Sequence, residues 1–306
     1  MGGTAFLVVG LNPTLQNTFF LQTLRPGQVN RVIRHRVDVA GKGGNTTRVL
    51  VQLGENAIQL TYHGGRNGDL YAALCESESI VLEAAKSQCE VRFCHTMVDL
   101  DRNEATEVVE NGGPVDLPLE RDIMERYKQT LAVAHTVIIA GSRASGFSDS
   151  VYPEMARSAT QAGIPVMLDI RGRDLLGCME FRPALIKINV AEFSQTFLPG
   201  LQVDETSDPA SLPGELQDKA LDIRRRYGTE VVLTHGAHPV LYVNDEAVDS
   251  ITPEPIVPVN PIGSGDSFTA GIAAGLHRGD GLREAVRLGM MSAGRNAMLE
   301  KPGSIE

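Results

Sequence analysis

The sequence has few cysteines, no long apolar run and no excess of basic residues, and each shortage excludes a class of protein. Its cysteines (Cys75, Cys89, Cys94 and Cys178) form no CxxC pair and have no histidine at zinc-finger spacing. We therefore expect buried thiols in a reducing cytosol, without a disulfide framework or a zinc site. The 28 Lys and Arg residues are outnumbered by 38 Asp and Glu residues, and the formal charge of −10 argues against a nucleic-acid-binding surface.

Membrane and secretion signals are also lacking. No apolar stretch approaches the length that spans a bilayer, so we expect no membrane partner. The first residues have neither the charged segment nor the cleavage site of a secretion signal. These absences predict a cytoplasmic protein.

What the sequence does contain is an alternation of short apolar strands and amphipathic helices. The predicted strands lie at 5–10, 136–140, 165–169, 184–188 and 230–234, and each ends at a glycine or polar residue. The predicted helices lie at 119–131, 152–162, 216–227 and 282–299. This order is typical of an α/β protein with a doubly wound, mostly parallel sheet flanked by helices. Such sheets bind ligands beyond the carboxyl ends of their strands. The length allows one large domain or two smaller ones.

Two segments have a different pattern, with apolar and polar residues alternating along the chain. Alternation over 19–39 and over 92–109 predicts antiparallel strands with one face in water. We interpret the two segments as a small β lid formed from about 14–39 and about 91–110.

A glycine turn near the C-terminus is the first candidate for chemistry. Gly263, Ser264 and Gly265 precede Asp266, and an apolar helical stripe follows. A glycine turn at a helix N-terminus leaves backbone N–H groups free to bind an anion such as phosphate. Asp266 would then lie close enough to take a proton from an attacking hydroxyl. The structural alternative is that Asp266 only caps the helix.

A second glycine run, from Gly41 to Asn45, predicts a flexible or tightly turned backbone that carries the charge of Lys42. It lacks the spacing of a Walker A loop and the third glycine of a dinucleotide fingerprint. A Rossmann dehydrogenase is therefore excluded.

Six motifs in the order of one family then occur along the chain. They are Leu11–Pro13, Pro26–Arg31, Gly41–Asn45, Gly64–Gly68, Lys187–Glu192 and Gly263–Asp266. Together they resemble the PfkB, or ribokinase-like, carbohydrate kinases, with most similarity to the 1-phosphofructokinase and tagatose-6-phosphate kinase branch. The resemblance covers essentially the whole chain and implies a single ribokinase-like domain over 1–306, ATP and Mg²⁺ as cofactors, and a homodimer formed through the β lid.

The resemblance also implies roles for individual residues. Asp266 would be the catalytic base, and the backbone of Gly263, Ser264 and Gly265 would form an anion hole. Asn189 and Glu192 would order Mg²⁺ through water, and Lys187, Thr234, Gly236 and Asn296 would belong to the ATP site. The acceptor would be bound by Asn12, Gln16, Gly41, Lys42, Gly43 and Asn45.

The chain departs from this family where the substrate is recognised. Gln16 stands where an aspartate usually contacts sugar hydroxyls, and His95–Met97 occupies the segment in which relatives carry a phosphate-binding arginine. Arg143 and Arg171 follow strand ends, and we expect one of them to supply that arginine.

The acceptor therefore stays open at this point. Fructose 1-phosphate is the first expectation, and tagatose 6-phosphate or fructose 6-phosphate comes next. An alternative acceptor is an unphosphorylated sugar or a nucleoside. A hypothesis of another class is a non-catalytic sugar- or nucleotide-binding protein on the same fold, and the presence of Asp266 within its glycine turn argues against it.

Overall fold

The computed structural model describes residues 6–204, 207, 212–244 and 247–306. Within these residues the chain forms thirteen β-strands and nine α-helices. The strands are β1 (Phe6–Val9), β2 (Thr14–Leu21), β3 (Arg34–Ala40), β4 (Ala57–His63), β5 (Val81–Lys86), β6 (Arg92–Asp99), β7 (Glu104–Val109), β8 (Thr136–Ala140), β9 (Val166–Asp169), β10 (Leu185–Asn189), β11 (Glu230–Thr234), β12 (Val240–Asn244) and β13 (Ala247–Ile251).

The helices alternate with the strands of the main sheet, as the sequence pattern predicted. They are α1 (Lys42–Gln52), α2 (Gly65–Ser77), α3 (Leu117–Leu131), α4 (Val151–Gln161), α5 (Gly172–Cys178), α6 (Val190–Phe197), α7 (Gly214–Tyr227), α8 (Ser264–His277) and α9 (Leu282–Ala297). A 3₁₀ turn, Met179–Phe181, follows α5. Among the described residues, none of these helices combines the length and the apolar character that crossing a bilayer requires.

Nine strands form the main sheet in the order β13–β12–β11–β10–β9–β8–β1–β4–β5. Every pair from β11 to β5 is parallel, and β12 and β13 add an antiparallel edge. The fold class is therefore the doubly wound, mostly parallel sheet that was expected. Because parallel strands align their carboxyl ends, β1, β8, β9 and β10 all end at one edge of the sheet.

The sheet is buried on both faces, which explains why its strands are continuous apolar runs. In β1 all four residues are buried, and their side chains alternate between two cores. Leu7 and Val9 belong to the core under α3 to α7, whereas Phe6 and Val8 belong to the core under α1, α8 and α9. Helices on both faces complete the layered architecture.

Four strands form a separate sheet, the lid, in the order β3–β2–β6–β7. It is made of two antiparallel pairs, β2–β3 and β6–β7. The central strands β2 and β6 run parallel, so the expectation of a wholly antiparallel lid was wrong. Alternation reports which face of a strand is wet, and it carries no information on the direction of the neighbouring strand. The division of residues 1–306 into one domain with a lid stays a prediction.

The glycine run of residues 41–45 was expected to form a loop, and this was wrong in one respect. The helix α1 already begins at Lys42 and contains Gly43 and Gly44. The glycine-rich segment 63–69 likewise continues into a helix, α2, which begins at Gly65. The segment 198–214, with three prolines and several acidic residues, is predicted from the sequence to be a surface loop, and its residues 205–206 and 208–211 lie outside the described part of the chain.

Candidate active site

A cleft of about 520 Å³ opens between the main sheet and the lid. Its floor is formed by the ends of β1 and β8 and the first turns of α1 and α8, and its wall by β2, β6 and β7. The predicted site residues that line it are Asn12, Gln16, Gly41, Lys42, Gly43, Asn45, Glu192, Gly263 and Asp266. The structure thus brings together most of the predicted acceptor site and the predicted base.

Glycine at the start of α1 lets the helix pack directly on the end of β1. A Cβ atom on Gly43 would lie only 2.8 Å from the Cα atom of Gly10. Gly41, with φ of 82°, makes the turn into the helix in the left-handed region that glycine favours. This close approach carries Lys42 and Asn45, both in the first turn of α1, into the cleft.

The turn before α8 is built in a related way. Gly263 has φ of 82°, and a Cβ atom there would lie 2.3 Å from the backbone nitrogen of Gly303. The N–H groups of Gly265 and Asp266 belong to the first turn of α8, where a helix has no internal acceptors for them. This geometry fits an anion-binding turn that opens on the cleft beside Asp266.

Asp266 is buried and hydrogen-bonded within the cleft. Its Oδ2 atom accepts a hydrogen bond of 2.8 Å from Nδ2 of Asn45, which lies 221 residues earlier in the chain. Burial raises the pKa of the Asp266 carboxyl, and the opposing charge of Lys42 does not cancel that effect. A carboxyl with a raised pKa, held beside an anion-binding turn, has the properties of a general base.

A second buried carboxylate, Asp169 at the end of β9, joins two lysines. It accepts from Nζ of Lys42 at 2.7 Å and from Nζ of Lys187 at 3.1 Å, and Thr269 donates to it at 2.6 Å. Burial opposes its ionisation, but the two ammonium groups hold the pKa of Asp169 well below its usual range. The charge of Lys42, which was expected to hold the sugar, is therefore largely shared with Asp169.

The predicted nucleotide residues lie next to the cleft, at the ends of neighbouring strands. Asn189 and Thr234 are register partners at the ends of β10 and β11. Oδ1 of Asn189 caps α6 by accepting from the backbone N–H of Glu192 at 2.7 Å. The Glu192 carboxylate faces the cleft and lies 3.4 Å from Nη1 of Arg171. Gly236 has φ of 55° in the loop after β11.

These residues fit Mg²⁺ bound with ATP better than a site built from protein ligands alone. Among the described residues, His, Cys, Asp and Glu side chains nowhere form a group of three or more that could hold a metal. Mg²⁺ is commonly held by one or two carboxylates together with water and substrate phosphates. The single carboxylate of Glu192, next to the anion-binding turn, matches that pattern. The ammonium group of Lys187 lies close to the backbone of Gly265, since a Cβ atom at that position would be only 3.1 Å from Nζ of Lys187.

Not every predicted residue reaches the cleft surface. Those outside its lining are Arg143, Lys187, Asn189, Thr234, Gly236, Ser264, Gly265 and Asn296. Asn296 is fully buried behind the turn, where it donates to the carbonyl of Ile262 and to Oγ of Ser264, both at 2.9 Å. The contacts of Asn296 are thus internal and support the anion-binding turn.

Arg143 and Arg171, one of which was expected to bind the phosphate of the substrate, differ in their surroundings. Arg143 is held by Asp174 at 2.9 Å, by the carbonyl of Phe147 at 2.6 Å and by Asp149. Its guanidinium is therefore already occupied by two carboxylates and a carbonyl. Arg171 lines the cleft with a side chain that is 64% exposed.

The sequence interpretation missed an arginine in the lid. Arg92, in β6, lines the cleft, its Nη1 atom donates to the carbonyl of Glu110 at 2.8 Å, and its buried Nε atom has no hydrogen-bond partner among the described residues. Burial lowers the pKa of the Arg92 guanidinium, which shows that its charge is poorly solvated. The sequence comparison considered only His95–Met97, the segment in which relatives carry this arginine, and Arg92 lies three residues before it. The available signal was the alternation of β6, which places Arg92 on the same face as Cys94.

Asp169 and Glu107 were also missed as site residues. Asp169 was recognised only as the end of a strand, although an acidic residue at the carboxyl end of a buried strand is itself a signal for a site. Glu107 lines the cleft from β7, the outer strand of the lid. Neither residue belongs to a local motif.

The two sheets and the cleft between them define the class of the protein, a ribokinase-like fold in which a β lid covers the edge of a doubly wound sheet. Residues 12–305 match the pfkB family of carbohydrate kinases. The chain belongs to this family, and it is accordingly a phosphotransferase that uses ATP and acts on a sugar hydroxyl.

Solved structures agree with this fold. Phosphofructokinase-2 from Escherichia coli in complex with fructose-6-phosphate is 20% identical, with a TM-score of 0.85 over 96% of this chain and 94% of that chain. A Thermotoga maritima protein described as a possible 1-phosphofructokinase is 22% identical, with a TM-score of 0.83 over 97% of this chain and 93% of that chain. At this level of identity the similarity shows the fold alone.

Proposed function

We propose that this protein transfers the γ-phosphoryl group of ATP, in the presence of Mg²⁺, to a hydroxyl group of a sugar phosphate. The observation that supports this most directly is the position of Asp266, buried in the cleft beside the anion-binding turn and opposite the lid arginine Arg92. The side chains thus offer a base for the hydroxyl and a cation for the phosphate of one acceptor.

In this proposal Asp266 accepts the acceptor's hydroxyl proton as the hydroxyl oxygen forms its bond to the γ-phosphorus, while the bond from that phosphorus to the bridging oxygen of ATP breaks and ADP leaves. Its Oδ2 atom is occupied by Asn45, which leaves Oδ1 for the acceptor. The free N–H groups at the start of α8 stabilise the charge on the transferred group. Since the base must be ionised, kcat/KM falls as the pH drops through the raised pKa of Asp266.

The cofactor site in the proposal lies on the side of the turn away from the lid. Lys187, Thr234 and Gly236 would contact ATP, and Glu192 with Asn189 would hold Mg²⁺ through water. The metal ion would neutralise phosphate charge and orient the phosphates for in-line transfer.

The proposal that the acceptor is phosphorylated depends on Arg92. Arg92 is half-buried and its Nη1 atom donates to the carbonyl of Glu110 at 2.8 Å, so its buried Nε atom is the donor that an anion in the cleft would satisfy. A phosphate group would supply charge-assisted hydrogen bonds at that place. Fructose 1-phosphate is the first acceptor to test, and tagatose 6-phosphate and fructose 6-phosphate follow.

One assay tests the proposal. ADP formation is measured with Mg²⁺ and ATP against the three sugar phosphates, the corresponding free sugars and several nucleosides. We expect turnover with one sugar phosphate and a loss of about 10²–10⁴-fold in Asp266→Asn. Turnover that survives in Asp266→Asn would refute the base assignment. Preference for a free sugar or a nucleoside would refute the assignment of the acceptor, and no turnover with any acceptor would favour a binding protein.

A further inference from the structure

Arg48 is a fully buried arginine that lies one turn after Asn45 in α1, with only 1% of its surface exposed. Its Nη1 atom donates to Oδ1 of Asn45 at 3.1 Å, and its Nη2 atom donates to the carbonyl of Val39 at 2.5 Å. Its Nε atom donates to the carboxylate of Glu78. The guanidinium thus joins α1 to the base of the lid and to the segment after α2.

The C-terminal segment is held by the same guanidinium. Nη1 of Arg48 also donates to the carbonyls of Pro302 and Gly303, at 3.2 and 3.0 Å. Gly303 has φ of 59°, and a Cβ atom there would lie 2.3 Å from Cγ of Asn45. The backbone of Gly303 also fills the space beside Gly263. The segment is therefore packed between the amide of Asn45 and the anion-binding turn.

The chemistry of arginine decides how the Asn45 amide is oriented. An arginine side chain has donors and no acceptor, so the amide atom beside it must be the oxygen. Once Oδ1 is fixed there, the NH₂ group of Asn45 points to Oδ2 of Asp266. Ionised Asp266 selects the same orientation, because a carboxylate only accepts, whereas Arg48 fixes the amide whether Asp266 is ionised or protonated.

We propose that Arg48 is a positioning residue that acts through Asn45 to keep a hydrogen bond donated to Asp266. The proposal rests on the function proposed above, in which Asp266 is the base. Arg48 touches neither substrate nor nucleotide in this account. It sets the orientation of the residue that touches the base.

The charged groups that surround Asp266 come from three elements. Lys42 faces it from α1, Asp169 from the end of β9, and Lys187 from β10. The Asn45 hydrogen bond favours the ionised form of Asp266, in the same direction as the two lysines and against Asp169 and burial. Losing that bond should therefore shift the acid limb of the pH–rate profile to higher pH.

A double-mutant cycle tests the proposal, with kcat, KM and the acid limb measured for Arg48→Lys, Asn45→Ala and the double variant. We expect Arg48→Lys, whose single ammonium group cannot replace the guanidinium fork that reaches Asn45, to lower kcat about tenfold, the effect of losing one hydrogen bond to a charged group, and to leave KM for ATP unchanged. The acid limb should move to higher pH. In the Asn45→Ala background, Arg48→Lys should cost nothing more. Additive losses, or an unchanged acid limb, would overturn the proposal.

Glu78→Gln is the matched control, because it changes a partner of the same guanidinium away from Asn45. We expect it to lower Tm while kcat and the acid limb stay as in the wild type. An equal shift in Glu78→Gln would show that Arg48 has a merely structural role.

Two further measurements keep the test decisive. If Arg48→Lys does not fold, Arg48→Met replaces it, since methionine keeps most of the apolar length of the side chain and removes the donor to Asn45. The same shift of the acid limb is expected, and its absence would overturn the proposal. An inactive wild type, or an active Asp266→Asn, would instead refute the proposed function on which the inference rests.

Discussion

Two buried aspartates interact with Lys42, Asp266 on the lining of the cleft and Asp169 behind it, and their surroundings give them opposite properties. Asp169 is the partner of Lys42 and Lys187, so its pKa lies well below the usual range. Asp266 receives one hydrogen bond from Asn45, and burial raises its pKa. The lysines thus keep one carboxylate ionised, while the other can exchange a proton.

This contrast predicts opposite effects on stability. Asp169→Asn leaves two lysines without a buried counter-charge, so we expect a loss of about 3–5 kcal/mol. Asp266→Asn removes a charge that burial disfavours, and it should be neutral or stabilising. Urea unfolding at pH 7 measures both. Wild-type stability in Asp169→Asn would contradict the interpretation of the buried cluster.

The pH dependence of stability follows from the directions in which folding shifts the pKa values of Asp169 and Asp266. The pKa of Asp169 is depressed by folding, so its contribution to stability is present above its unfolded pKa and is lost as the pH falls toward the folded value. The pKa of Asp266 is raised by folding, so protonation of this residue stabilises the native state.

Arg92 gives a prediction about substrate recognition. We expect Arg92→Gln to raise KM for the sugar phosphate about 30-fold, because about 2 kcal/mol of charge-assisted hydrogen bonding is lost, and to leave KM for ATP nearly unchanged. Steady-state kinetics with each substrate varied in turn provides the measurement.

Arg102→Gln is the control for Arg92, since Arg102 lies in the lid turn with a side chain that is 58% exposed. The same experiment tests the sequence-based expectation that Arg143 or Arg171 binds the phosphate of the substrate. A large rise in KM for the sugar phosphate in Arg143→Ala, with none in Arg92→Gln, would favour the original expectation over Arg92.

At the scale of single residues, the sequence predicted a site residue correctly where its side chain belongs to the same short motif that shapes the backbone. Asp266 and Asn45 both lie within glycine runs, and both reach the cleft. Asp169 has no such motif, because its meaning depends on Lys42, 127 residues away, and on Lys187. Arg92 was missed because its position in the cleft depends on how the lid folds over the sheet.

At the scale of elements, the contact between β1 and α1 is the feature on which the acceptor site depends. Gly10 and Gly43 are in direct backbone contact because neither has a side chain. The resulting position of α1 places Lys42 and Asn45 in the cleft. Glycine in a helix normally costs about 0.5–1 kcal/mol relative to alanine. At Gly43 that cost is outweighed by close packing.

Gly43→Ala is therefore expected to destabilise the protein, whereas Gly→Ala at an ordinary helix position stabilises it. We expect a lower Tm and a loss of turnover, because the new methyl group would lie 2.8 Å from Gly10 and would push α1 away from β1. Gly294→Ala in α9 is the control. A Cβ atom there would meet nothing within 4 Å, so helix propensity should raise stability by about 0.5–1 kcal/mol. Calorimetry on both variants measures the difference, and a stabilised, active Gly43→Ala would contradict this account of the contact.

The strands and helices of the main sheet were predictable because each carries its own periodicity. Buried strands such as β8 are continuous apolar runs, and α3 has apolar residues at helical spacing. The parallel pairing of β2 with β6 was not predictable. It joins residues about 80 positions apart, as in the pair Gln16 and Thr96, and no local pattern records such a contact.

At the scale of the whole molecule, the lid face that points away from the cleft is covered at its base, where Leu15 and Val39 pack against Tyr71 and Cys75 of α2, and its aromatic residues lie further along the strands. Along β2 and β6, Gln16 and Cys94 face the cleft, so Phe19 and His95 face the opposite side. Their rings stack at 6.1 Å, and Phe19 also stacks on His35 of β3 at 6.2 Å. An aromatic row on a sheet face is typical of an interface between copies.

We therefore predict a homodimer in which two lids pack face to face, with a mass of twice 33.0 kDa by light scattering. Phe19→Glu should give a monomer, because it places a charge in the centre of the interface. Glu104→Lys, a charge change on exposed β7 at the margin of the lid, should leave the dimer intact. Because the cleft wall is the other face of the same strands, a monomeric Phe19→Glu should also bind the acceptor more weakly. A dimeric Phe19→Glu would place the interface elsewhere.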